Sequence, residues 1–266
     1  MRAGKVIGVF LVATGIFFFL KATLNFSLAP IAGYWPLALV VAGIFFVLRQ
    51  RLLGALFLVF TLFLLLPTCS VSQRHYTQEL PYNGLSKEVF KVDFGAGKLL
   101  IDSDSRGSLI RTEIDTASTS PPSITVAGNE LSIARGGYSN NDVWRLSLSP
   151  LVTYDMQINF GAADSSFDFS GLTVSNLIIN TGASKSVIKL AAFPTKVKIE
   201  SGATDLTILV PEGFGAKVIA KAPLSSLEFE DFSNNNGAYT NAAYDTTKDH
   251  IEITLNTAAS SVKIKS

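Results

Sequence analysis

Two histidines and one cysteine are all that this chain of 266 residues offers to transition-metal or thiol chemistry. His75 lies in a polar stretch, His250 stands beside Asp249 at the head of the final strand-like segment, and Cys69 follows Leu66-Pro67-Thr68. A zinc-type site needs three or four ligands, usually with local pairs, and no His or Cys pair exists here. Asp102-Ser103-Asp104 presents oxygen ligands of the kind a hard cation takes, yet the same three residues make an ordinary solvated turn. Asp164, Asp168 and Asp205 stand on or beside recurring small-residue corners. Stacking of those corners could gather some of them, and outward polar positions on strands account for them equally.

Other chemistries find even less. No serine is marked out with a histidine and an acid for nucleophilic catalysis, and there is no Gly-x-x-x-x-Gly-Lys-Ser/Thr. Gly95-Ala96-Gly97 precedes a strand pattern, whereas a phosphate cradle requires a following helix. Beyond residue 70 the chain carries 17 basic and 21 acidic residues, a balance opposed to nucleic-acid binding, which needs a basic face. A single thiol cannot close an internal disulfide. Leu66-Pro67-Thr68-Cys69 has the outline of a lipoprotein cleavage box, but Pro67 and the apolar runs before it argue against that reading. The chain is expected to be no enzyme, with no catalytic residue, no cofactor and no metal.

What the first 70 residues do offer is a membrane anchor. All 21 Asp and Glu residues lie at Glu79 or beyond. Uncharged runs occupy Val6–Leu20, Ile31–Leu48 and Leu52–Pro67, bracketed by Arg2, Lys5, Lys21, Arg49 and Arg51. With their flanks these runs approach the ~20 residues that a bilayer requires, and a carboxylate at its centre would cost several kcal/mol. Residues 1–70 are therefore read as three transmembrane helices, at about 4–23, 31–48 and 52–69. Basic residues concentrate before the first span and between the second and third, so the amino terminus is assigned to the cytoplasm and the carboxyl domain to the outside. Gly8, Gly15 and Gly43 could let helices approach closely, either against a membrane partner or merely against one another.

Residues 71–86 read as a polar linker, with Pro81 and an Asn83-Gly84 turn signal. From 87 to 266 short segments alternate apolar and polar residues, a strand period, and no helical pattern of useful length follows Thr68. Ser233-Asn234-Asn235-Asn236-Gly237 reads as a loop. A motif recurs: Phe94-Gly95-Ala96, Phe160-Gly161-Ala162, Thr181-Gly182-Ala183, Ser201-Gly202-Ala203, a degenerate copy around Ala222, and Thr257-Ala258-Ala259. A spacing near 20 residues with strand, small corner and strand marks a stacked, β-solenoid-like domain. Gly95, Gly161, Gly182, Gly202, Ala222 and Ala258 are its corners, placed where a larger Cβ would clash with the next layer. Inward positions should be Leu99 and Ile101, Phe167 and Phe169, Val187 and either Ile188 or Leu190, Leu206 and Ile208, Leu227 and Phe229, and Val262 and Ile264.

Gly-x-Phe-Leu-Val near the amino terminus and Trp35-Pro-Leu-Ala-Leu-Val-Val-Ala-Gly43 resemble the transmembrane region of LiaF-like envelope-stress proteins. Gly202-Ala-Thr-Asp-Leu-Thr-Ile-Leu-Val-Pro-Glu-Gly-Phe-Gly-Ala-Lys-Val218 is similar to the carboxyl domain of the same proteins, the toast-rack fold. The resemblance implies a multi-pass protein of the bacterial cell membrane, a non-enzymatic sensor or regulator of envelope stress, in some relatives acting on a membrane histidine kinase. Relatives often show four spans where three are counted here, and a fourth would invert the topology. A membrane-anchored surface scaffold or adhesin is the competing expectation, since a rigid β-stack with Ser/Thr/Asn-rich faces would suffice for it.

Overall fold

A computed structural model describes residues 73–82, 84–103, 107–137 and 141–266. The three apolar runs, Cys69, Asp104 and the helix-contact candidates Gly8, Gly15 and Gly43 lie outside the described residues, as does the assignment of topology. Among the described residues there are strands and no helix.

Fourteen strands form one sheet. They are β1 (Arg74–Pro81), β2 (Lys87–Ser103), β3 (Ser108–Thr116), β4 (Ser123–Ala127), β5 (Glu130–Ala134), β6 (Asp142–Leu148) and β7 (Thr153–Asp168). After these come β8 (Thr173–Lys189), β9 (Lys196–Leu209), β10 (Gly215–Lys221), β11 (Ser226–Glu230), β12 (Phe232–Asn235), β13 (Ala238–Asn241) and β14 (His250–Lys265). The centre is a parallel stack, β2-β7-β8-β9-β14.

Each central strand is too long to be straight. In β7 the buried side chains are Tyr154, Met156, Ile158 and Phe160, and then Ala163, Ser165 and Phe167. Buried parity switches from even to odd across Gly161-Ala162, where both residues face outward. The same two-residue step falls at Gly95-Ala96, Gly182-Ala183, Gly202-Ala203 and Ala258-Ala259. A slip of one residue would ordinarily turn the apolar set to solvent. Here a bend absorbs it, so both arms keep their apolar side chains on one interior. The rings of Phe160 and Phe167 show the fold-back: their centroids are 6.0 Å apart, whereas seven residues of straight strand span ~23 Å. The core therefore lies between the two arms of every layer. It runs unbroken from Phe90 and Trp144 to Ile253 and Ile264.

Antiparallel strands finish both ends. β3 and β1 extend the sheet beyond β6, and β4 lies on β5. The stretch expected as a linker, 71–86, thus contains β1, paired along Arg74–Pro81 with β3. Most of its side chains are exposed because it is the edge, which gives it a linker's composition, while Tyr76 and Leu80 pack on the core. At the other end the loop expected at Ser233–Gly237 is the hairpin β12–β13. Its turn residues Asn236 and Gly237 have φ of 53° and 83°, the left-handed pair that a tight hairpin turn demands.

Candidate functional site: a polar row along the bend

The corner glycines stand in a column, one per layer. A Cβ on Gly161 would come 2.9 Å from the carbonyl oxygen of Gly95; on Gly182, 3.0 Å from that of Gly161; on Gly202, 2.8 Å from that of Gly182. The neighbouring Ala96, Ala162, Ala183, Ala203 and Ala259 pair in register, which puts Ala258 opposite Gly202. Ala222 is not in the column. The register of β10 and of β11 on β14 carries the same offset on either side of the gap, so Pro223 faces Ala258 and Ala222 stands one position early. The unpaired stretch between β10 and β11 is a turn, closed by Ser225 N–H donating to the Ala222 carbonyl at 3.3 Å.

Hydroxyls fill the inside of the bend. Ser165 donates to Ser186 at 2.8 Å, Ser184 and Thr204 share a bond of 2.8 Å, and Ser225 and Thr257 one of 3.0 Å. Small side chains let the two arms converge, and their hydrogen bonds offset the burial of polar groups.

Outside the bend, two residues ahead of each corner, a second row forms: Asp93, Asn159, Asn180, Glu200 and Asn256 are directly opposite one another on successive strands. Sequence reasoning passed over this row. Aligning the copies on their glycines would have displayed it as a column of Asp, Asn, Asn, Glu and Asn. Asn180 Nδ2 donates to Asn159 Oδ1 at 2.8 Å, and Asn159 Nδ2 donates to Asp93 Oδ1 at 2.7 Å. The row floors a groove of about 760 Å³, with Arg135 against Gly95 at one end. Asn180 Oδ1, closed off from solvent, has no hydrogen-bond partner.

The acidic residues singled out from sequence are not gathered into one cluster. Asp164 and Asp205 alternate with lysines along the second arm in the order Lys98, Asp164, Lys185, Asp205. Asp168 pairs with Lys189 at 3.4 Å. Burial opposes ionisation of Asp168, but hydrogen bonds from Ser170 and the Lys189 ammonium leave its carboxyl below the usual range. Asp155 is held low by the Lys87 ammonium and then by the Ser175 hydroxyl. His75 Nδ1 is 2.7 Å from Asp115 Oδ1, and this contact holds Asp115 low. His250 Nε2 meets the Tyr244 carbonyl at 2.7 Å. Among the described residues no three His, Cys, Asp or Glu side chains come together as metal ligands.

Fold and groove define a stacked, two-armed β domain that carries its polar surface on the bend. Residues 70–209, just over half of the chain, match the N-terminal domain of toast_rack, DUF2154, and the chain belongs to that family. Residues 6–78 match the LiaF transmembrane domain. The chain is thus a membrane-associated, LiaF-like protein with a toast-rack domain, and both families are of non-catalytic kinds. No curated protein matches it significantly. Among solved structures, a candidate cell adhesion protein from Clostridium sporogenes ATCC 15579 is 20% identical with a TM-score of 0.67. The match covers 73% of this chain and 99% of that one. It shares the fold. A candidate adhesin from Bacteroides fragilis NCTC 9343 is 12% identical with a TM-score of 0.28, over 73% of this chain and 97% of that one, too slight a likeness to carry argument.

Proposed function

We propose that this protein is a non-enzymatic regulator of the response to cell-envelope stress. Its β domain stands outside the cytoplasmic membrane, and its spans contact a membrane signalling partner such as a histidine kinase. The observation that carries the reading is the occurrence, in one chain and in this order, of the LiaF transmembrane match and the toast-rack match. Charge placement supports the orientation, because the basic residues of the first 70 lie mainly before span one and between spans two and three. Gly8, Gly15 and Gly43 are the proposed points of close helix contact.

A deletion strain tests the function. An altered response to cell-wall-active antibiotics is expected. Altered attachment with an unaltered stress response would favour an adhesin instead. Orientation is tested with Leu224→Cys in a Cys69→Ser background, since Leu224 is 81% exposed. An impermeant maleimide should label it in intact cells; labelling only after lysis would place the domain in the cytoplasm.

A further inference from the structure

The row Asp93-Asn159-Asn180-Glu200-Asn256 cannot satisfy itself. Two of its three asparagines pass a hydrogen bond toward Asp93, from Asn180 to Asn159 and from Asn159 to the carboxylate. An amide that donates on one side presents its oxygen on the other. A run of amides between two carboxylates therefore ends in one place where acceptor faces acceptor. That place lies between Asn180, whose Oδ1 has no partner, and the opposite residue Glu200, whose carboxylate is held by Lys198 at 2.7 Å on its own strand. Reversing both amides only moves the mismatch to Asp93. What the row lacks is a donor.

The groove's chemistry limits what could supply it. Nucleic acid would set phosphates against Asp93 and Glu200. An extended peptide is normally held by pairing with a strand edge or by apolar side-chain pockets. The row lies in mid-sheet, and Phe94 and Phe160 beneath it are each only 5% exposed. A cation would find Asp93 and Glu200 three strands apart, ~14 Å, too far to share it. A neutral polymer bearing hydroxyls remains. Carboxylate and amide groups accept from and donate to such hydroxyls. The polar positions recur every ~4.8 Å over about 19 Å across five strands, comparable with the rise of single sugars along an extended glycan.

We infer that the groove binds a glycan strand laid across β2, β7, β8, β9 and β14, and that Asn180, whose Oδ1 solvent does not reach in the free domain, turns outward to take a sugar hydroxyl beside Glu200. This deepens the regulatory reading by naming the class of ligand sensed, and it depends on that reading only for its biological meaning. Binding is measured apart from any stress phenotype, so each can fail without the other.

The experiment is calorimetric titration of the full chain in lipid nanodiscs with N-acetylglucosamine hexamer and with cellohexaose. At least one should bind, and its monosaccharide should bind at least about tenfold more weakly, because it spans one position of the row instead of several. Glu200→Gln adds an amide donor facing Asn180 Oδ1 and repairs the mismatch from within. It should raise the melting temperature while weakening the hexasaccharide about tenfold, the loss of a charge-assisted hydrogen bond. Asp205→Asn, on the other arm, should leave binding unchanged. The inference is overturned if neither hexasaccharide binds at millimolar concentration, or if a lysine-rich peptide binds where they do not. It is also overturned if Glu200→Gln changes neither melting nor binding.

Discussion

Replacing Gly202 by alanine tests the bend directly. The added Cβ would lie 2.8 Å from the carbonyl oxygen of Gly182, and its next neighbours, at 3.7 and 4.0 Å, are backbone atoms too. No flexible side chain can turn aside. Reaching an ordinary contact requires about 0.6 Å of separation between two layers, well beyond the few tenths by which a packed neighbour yields cheaply. β8 and β9 are parallel partners in register on both sides of the corner, so the movement strains ladder hydrogen bonds in both arms. Overpacking of this kind costs ~1–3 kcal/mol. At ~2–4 °C per kcal/mol for a domain of this size, the melting temperature should fall by roughly 4–8 °C for a mid-range cost. Valine, with two further methyl groups, should do worse at either Gly182 or Gly202.

The reciprocal change supplies the control. Ala258 occupies the same column on β14 and already carries a Cβ, so Ala258→Gly should cost no more than about 1 kcal/mol. Both variants are read by near-ultraviolet circular dichroism during thermal unfolding. If Gly202→Ala melts within about 1 °C of the parent, or if Ala258→Gly is the more damaging change, the steric account of the corner is wrong.

Two further outcomes follow from buried and paired groups. Tyr154 is fully buried, its phenol is pushed up by desolvation, and its hydroxyl donates to the Ser149 carbonyl at 3.1 Å. Tyr154→Phe should therefore lower unfolding stability by about 1–2 kcal/mol with an unchanged denaturant slope. Asp155 and Asp115 have folded-state affinities for protons below those of the unfolded chain. Their contribution is present above about pH 4 and is lost as pH falls through the lower folded values. Asp155→Asn should consequently lower the urea midpoint at neutral pH, and the gap from the parent should close in acid; a gap that persists there would refute the assignment.

Much of the stack was legible because its device is local. The Gly-Ala corners marked the bends, and Leu99, Ile101, Phe167, Phe169, Leu206, Ile208, Val262 and Ile264 are buried as their alternation predicts. At the end of β8 Ile188, and just beyond it Leu190, face the core while Val187 is exposed, since the bend sets the parity that follows it. Leu227 and Phe229 are only partly buried, because β11 pairs with β14 alone. The polar row shows in the sequence only once the copies are aligned on their corners, because its residue types alternate between Asp, Asn and Glu and the strand register alone makes them neighbours. Strand order was not readable in the same way. One corner motif looks like another, so nothing local says which copies adjoin, and a parallel pair can join segments far apart in the chain.

β14 shows what that freedom produces. It follows β10–β13 in the chain, yet in the stack it lies between β9 and the layer formed by β10 and β11. In a solenoid stacked in chain order, removing the final repeat costs one interface and leaves the remainder standing. Removing 250–266 here takes out an interior layer. It withdraws the buried side chains Ile251, Ile253, Leu255, Val262 and Ile264, which at ~1.5–3 kcal/mol each sum to roughly 7–15 kcal/mol, as large as the net stability of a whole domain. It also leaves β11 without a strand partner and β10 with only the short pairing to β13. The truncated chain should keep slow amide exchange in β2, β7 and β8 and lose it throughout 210–249, with β9 protected on one side only. Uniform protection up to residue 249 would mean that β10–β13 can close on β9 unaided, and the inserted layer would then be a spacer and not a keystone.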